Sequence, residues 1–76
     1  MQLEKVIRLL IKKKGYTLES AALKCNRTGS YFSAMLARHS APRVDTMASI
    51  CDTLGWDLIV RDREDGYEET IDPPIR

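Results

Sequence analysis

The sequence predicts a mainly α fold: four helices, the second and third joined as a helix-turn-helix, followed by a C-terminal β-hairpin. Apolar residues recur at helical spacing in four segments. Two of these, short and adjacent, are split by a polar kink at Cys25-Asn26-Arg27-Thr28. From Trp56 onward the apolar period falls to two, the spacing of a strand.

In helix 1, Leu3, Val6, Ile7, Leu10 and Ile11 fall at i, i+3, i+4, i+7 and i+8, one apolar stripe. Lys12, Lys13 and Lys14 suit the negative end of the helix dipole, and Gly15 can take the left-handed position that closes it. Thr17 reads as the N-cap of helix 2, with Glu19 in its first turn. The inward side of that helix, Leu18, Ala21, Ala22 and Cys25, is small, which permits close approach of a neighbour. Asn26 tolerates a left-handed backbone and ends it. Thr28 reads as the next N-cap, opening a helix with Phe32, Met35 and Leu36 inward. After the break at Pro42, Val44, Met47, Ala48, Ile50, Cys51 and Leu54 form the stripe of helix 4, which ends at Gly55.

Trp56, Leu58 and Val60 then alternate with Asp57, Ile59 and Arg61. "DREDG" turns the chain, and Tyr67, Glu69 and Ile71 alternate with Glu68 and Thr70 until Asp72-Pro73-Pro74. The expected organisation is residues 1–55 as a helix-turn-helix domain, with helices at about 2–14, 18–25, 29–38 and 44–54, residues 56–72 as the hairpin, and 73–76 as a tail.

With 76 residues, 43% apolar and 30% charged, the chain has room for one core, which typically yields about 3–5 kcal/mol of net stability. Help from a second chain fits that size. Residues 1–45 carry nine Lys/Arg against three acids, and residues 46–76 three against eight, so a net +6 is followed by −5. Such asymmetry suggests one half that faces nucleic acid and another that faces something else. Cys25 and Cys51 lie on apolar stripes without metal-ligand spacing and read as buried, reduced thiols in a reducing cytoplasm. No segment reads as a membrane span, and Met1 to Ile11, carrying Glu4, Lys5 and Arg8, does not read as a signal peptide. Without a phosphate loop, a metal-spaced cluster or a nucleophile beside a base, the reading is a non-enzyme needing neither cofactor nor metal.

Thr17, Ala22, Asn26, Thr28, Phe32, Ser33 and Met35, then Pro42, Asp45-Thr46-Met47, Ile50 and Leu54-Gly55, resemble the Cro and lambda-repressor-like (XRE) family of DNA-binding domains from Leu3 to about Gly55. The tail "LGWDLIVRD" is similar to phage and mobile-element regulators of that type with an added C-terminal strand. The resemblance implies a cytoplasmic, bacterial or phage-encoded transcriptional regulator, repressor-like, whose third helix enters the major groove of operator DNA. On that reading the DNA-binding residues are Thr17, Arg27, Thr28, Gly29, Ser30, Tyr31, Ser33, Ala34, Arg38 and Arg43. Gly29, Ser30 and Ala34 fall at base-reading positions and are small, so direct readout is modest and DNA shape contributes. Tyr31 would lie beside the sugar-phosphate wall. Arg27, Arg38 and Arg43 supply phosphate affinity. Where the family buries an Arg, a Gln and a Glu together, this chain has Ile11, Leu18 and Leu36, which are expected to touch.

Other residues keep two readings. Arg27 either snorkels over the core or reaches a phosphate, and His39 contacts a phosphate or is simply exposed or capping. Lys12 to Lys14 favour plain solvation over a DNA contact. The apolar set of Trp56, Leu58, Ile59, Val60, Tyr67 and Ile71 exceeds what one hairpin face needs, which points to a homodimer formed through the hairpins; folding back on its own helices is the alternative. Two other functions fit: an antitoxin that represses its own operon while the acidic segment Asp62 to Asp72 holds a basic protein partner, and a protein-interaction module that has lost DNA binding.

If Arg43 grips a phosphate, Arg43→Ala weakens binding to all DNA sequences about equally and lowers the slope of log K against log salt by about one. A salt titration that returns the parent slope removes Arg43 from the contact set.

Overall fold

The computed structural model describes residues 1–74; Ile75 and Arg76, the end of the expected tail, lie outside the described residues. Among the described residues the fold is mainly helical, with four helices and a two-stranded antiparallel hairpin, and it divides into two compact units, Met1–Pro42 and one beginning at Arg43. Among the described residues no helix is long and apolar enough to cross a membrane.

The first unit holds α1 (Leu3–Lys13), α2 (Leu18–Lys24) and α3 (Tyr31–Ala37), with α2 packed on both α1 and α3. Its buried side chains are Ile7, Ile11, Ala21, Ala22, Phe32, Met35 and Leu36, and Ala21, Ala22 and Phe32 have no exposed surface at all. Leu36 is inward, as the stripe of α3 requires, and Ile11 and Leu18 line a common recess. Leu3, expected on the buried stripe of α1, is 41% exposed. As the first residue of the helix it leans past the helix end, because helical side chains tilt toward the N-terminus.

Each helix of this unit closes in the same way. A left-handed residue, Gly15, Asn26 or His39, donates its amide to a carbonyl three residues back: Lys12, Leu23 and Leu36 respectively. The next amide, that of Tyr16, Arg27 or Ser40, reaches the carbonyl five residues back, on Ile11, Ala22 or Met35. This paired closure satisfies carbonyls that a helix end leaves orphaned. For His39 this is the capping reading among those open to it, and histidine is enriched in left-handed backbone. At the other end of α2, Thr17 accepts from the Ser20 amide at 3.0 Å while the Ser20 hydroxyl accepts from the Thr17 amide at 2.9 Å. That reciprocal cap uses Ser20, leaving Glu19 free of it.

The start of α3 departs from expectation. Thr28 is not its N-cap: the Tyr31 amide donates to the Thr28 carbonyl, residues 28–31 form a tight turn, and the helix begins at Tyr31 behind Ser30. Six residues therefore separate α2 from α3 rather than three or four. Gly29 explains the delay, since glycine in a first helical turn loses more backbone entropy than other residues and gains no packing.

The second unit holds α4 (Val44–Leu54), β1 (Leu58–Arg61) and β2 (Glu68–Ile71), with β1 against α4. Met47, Ala48, Ile50, Cys51 and Leu54 are buried, whereas Val44, again the first helical residue, is 63% exposed. Left-handed Gly55 ends α4, and the Trp56 amide donates to the Cys51 carbonyl at 2.7 Å. Trp56 thus belongs to the close of α4, and the strand begins at Leu58 rather than at Trp56 as the alternation predicts. In the hairpin Leu58 faces Ile71, Ile59 faces Thr70, Val60 faces Glu69 and Arg61 faces Glu68. Tyr67 sits just outside β2, its amide on the Asp65 carboxylate. The turn is tied by the Glu64 amide on the Asp62 carboxylate, the Gly66 amide on the Asp62 carbonyl, and a left-handed Gly66.

Phe32→Ala removes a fully buried ring at a cost of about 3–5 kcal/mol, comparable to the whole stability of a domain this small. Circular dichroism should show this variant largely unfolded at room temperature, while Leu23→Ala, at an exposed site, melts close to the parent. Equal melting temperatures for all three would show that Phe32 does not carry the core.

Candidate functional site

The outward flank of α3 follows from its inward one. With Phe32, Met35 and Leu36 buried, the same helix turns Ser33 and Ala37 to solvent, Ser30 is exposed at its start, and Ala34 is half-buried between. The exposed side is short and lightly polar. Its two hydroxyls are not equivalent: the Ser33 hydroxyl donates to the Ser30 carbonyl at 3.1 Å, which leaves its oxygen free to accept, and Ser30 makes no side-chain cap bond.

Arg27 lies over the Tyr31 ring, its guanidinium carbon 4.9 Å from the ring centroid, and Tyr31 meets Phe32 edge to face at 5.1 Å. The stack runs from an exposed cation through a half-buried phenol to a buried phenyl ring, fixing the guanidinium near the entrance of α3. This decides between the two readings of Arg27 in part: it packs on an aromatic face and keeps its charge in solvent. Arg38 caps the far end of α3 and is exposed. Thr28 and Gly29 lie in the turn before the helix, the first exposed and the second half-buried.

Glu19 is the neighbour that the sequence did not disclose. A Cβ built on Gly29 would meet the Glu19 side chain at 3.0 Å, so this carboxylate-bearing arm from α2 rests over the glycine. Arg27, Thr28, Gly29, Ser30, Tyr31, Ser33 and Ala34 thus share one neighbourhood, with Glu19 added to it. Thr17 is exposed, but its hydroxyl is committed to the cap of α2. Arg43 belongs to the second unit, where it precedes α4, is exposed, and lies 3.5 Å from the Asp45 carboxylate. A surface pair of this kind contributes at most about 1 kcal/mol and leaves the guanidinium free to exchange partners. His39 does have a partner: its Nδ1 is 2.8 Å from the Glu4 carboxylate, on an exposed surface.

The first unit carries eight Lys/Arg against two acids and the second four against nine, so the charge division follows the structural one. On the hairpin, Ile59, Val60 and Tyr67 are exposed, while Trp56, Leu58 and Ile71 are half-buried. The Tyr67 hydroxyl donates to the Glu69 carboxylate, which pushes the phenol's pKa up by favouring its protonated form. Among the described residues no group of three or more His, Cys, Asp or Glu is placed to hold a metal ion. Compared with family models, curated proteins and solved structures, the chain matches none.

Both cysteines are free thiols, and Cys25 is only half-buried, less covered than its stripe implied, because it sits at the C-cap of α2. Burial raises both thiol pKa values; Arg27 and Lys24 partly offset this at Cys25, whereas Asp57 adds to it at Cys51. A raised folded-state pKa means that the thiols' contribution to stability is full below their ordinary value of 9.0 and is lost as pH rises through the folded value. Since the thiolate is the nucleophile, Cys25 should be alkylated by iodoacetamide before Cys51 in the folded protein. Mass spectrometry that finds Cys51 modified first would contradict this order.

Proposed function

We propose that the chain is a sequence-specific DNA-binding transcriptional regulator of the lambda-repressor-like helix-turn-helix type, repressor-like, that binds operator DNA as a homodimer. The observation that carries this reading is the solvent-open flank of α3, where Ser30, Ser33 and Ala37 stand outward while Phe32, Met35 and Leu36 are buried behind them. A seven-residue helix is about 10 Å long and fits a major groove about 12 Å wide. Without bulk on that flank, the backbone can approach base edges closely. Ser30 and Ser33 offer hydroxyls, and Ala34 offers a methyl to a thymine.

Arg27 and Arg38 stand at the two ends of α3 in a unit of net charge +6, as phosphate anchors would. Holding Arg27 on Tyr31 lowers the entropy lost when it meets a phosphate. Glu19 acts the other way: its carboxylate, next to Gly29, repels the backbone it would approach and tempers the affinity. The hairpin supports the dimer. Two four-residue strands alone are marginal in water, and Ile59, Val60 and Tyr67 leave apolar surface that a second copy would cover.

A second reading rests on the second unit. Residues 62–72 carry six acids against one arginine, and all six are exposed, which suits a basic protein held at the hairpin and hence an autoregulating antitoxin. In that case the same headpiece still binds DNA.

Selection of bound duplexes from a random pool, read beside the oligomeric state from light scattering, tests both the DNA and the dimer. On a selected site, Arg27→Ala should lower affinity at all sequences and reduce the salt slope by about one, while Glu19→Gln should tighten binding a few-fold. No enrichment at about 50 mM salt, where phosphate contacts are strong, would sink the DNA reading. A monomer at micromolar concentration would sink the dimer.

A further inference from the structure

We infer that the junction of α1 and α2 is a binding site for a small amphipathic carboxylate, an aromatic or branched aliphatic acid. A recess of about 300 Å³ opens there, lined by Arg8, Ile11, Lys12, Tyr16 and Leu18. The recess is open to solvent, so it seats a ring or branched chain against its floor and leaves the rest of a ligand at the surface.

The walls are held by hydrogen bonds. Left-handed Gly15 turns the chain back, so that the Tyr16 amide reaches the Ile11 carbonyl at 3.2 Å and the Tyr16 ring comes to the same recess as Ile11. The Thr17–Ser20 cap then fixes where α2 begins, and Leu18, its first residue, completes the apolar lining. Ile11 is buried, and Tyr16 and Leu18 are half-buried, so the recess has an apolar floor already in place.

Its rim is cationic. Arg8 and Lys12 are one turn apart on α1, within about 6 Å at their Cβ atoms, and both are exposed. Among the described residues neither has an ion-pair partner. Two unpaired cations over an apolar floor match a ligand that buries a ring or branched chain and leaves a carboxylate at the edge. A free phosphate would leave the floor wet, and a neutral hydrocarbon would leave the rim unused. The site stands apart from the DNA reading and does not need it.

The test uses the full chain, without DNA, titrated with 2-naphthoate and with its uncharged amide, and followed by amide chemical shifts in a nitrogen-15 correlation spectrum. The expected result is a saturable response confined to residues 8–18, binding of the amide at least about tenfold weaker, and a similar loss in the Arg8→Gln, Lys12→Gln double variant. Lys24→Gln, outside the recess, should bind as the parent does, and the melting temperatures of the free variants should match. The inference is overturned by no saturable response up to about 10 mM, by equal binding of acid and amide, by a response centred elsewhere, or by a double variant that folds and binds normally.

Discussion

A seven-residue helix has almost no stability of its own in water, where even good helix formers need about 12–15 residues. Both α2 and α3 are that short, so neither exists without the other. The two helices pack on each other, α2 burying Ala21 and Ala22 completely and α3 burying the ring of Phe32. Small residues on α2 permit close approach, and burial of the aromatic ring supplies free energy that local hydrogen bonding lacks. The position of the exposed α3 flank, and the Arg27–Tyr31 stack before it, follow from that one packing constraint.

Several sequence signals marked elements directly because they act within a turn or two of chain. Gly15, Asn26 and Gly55 marked helix ends, and Thr17 marked a helix start, since a cap or a left-handed residue answers a local need for hydrogen bonds. The alternation of Leu58 to Arg61 and of Glu68 to Ile71 marked the strands for the same reason. Thr28 misled because a hydroxyl residue before an apolar stripe is ambiguous: the glycine that follows allowed a separate turn, and the helix waited until Tyr31. Leu3 and Val44 misled in another way, for period alone does not say that the first residue of a helix overhangs its end.

The candidate site was less legible than the fold. Its members Arg27 to Ala34 were within reach of sequence reading because they are close in the chain and placed by one helix. The arm of Glu19 over Gly29, the pairing of Glu4 with His39, and the recess shared by Arg8, Tyr16 and Leu18 join positions on different elements. No local rule couples such positions; only the packed geometry brings them together. Asp57 raising the thiol of Cys51 is of the same kind, a charge across a helix end that spacing does not announce.

The left-handed closures of the three helices in the first unit have a kinetic consequence. Each is a bond between residues three to five apart, and the hairpin of the second unit joins strands separated by a turn, so few long loops must be closed before native contacts form. Helical topologies rich in local contacts fold in microseconds to milliseconds, whereas sheets built on distant pairings take up to seconds, and four helices with one hairpin lie toward the fast end of that range. A chain of modest stability that refolds this quickly spends little time with Phe32 and its neighbours open to aggregation or proteolysis, so speed of recovery offsets part of what a small core cannot supply.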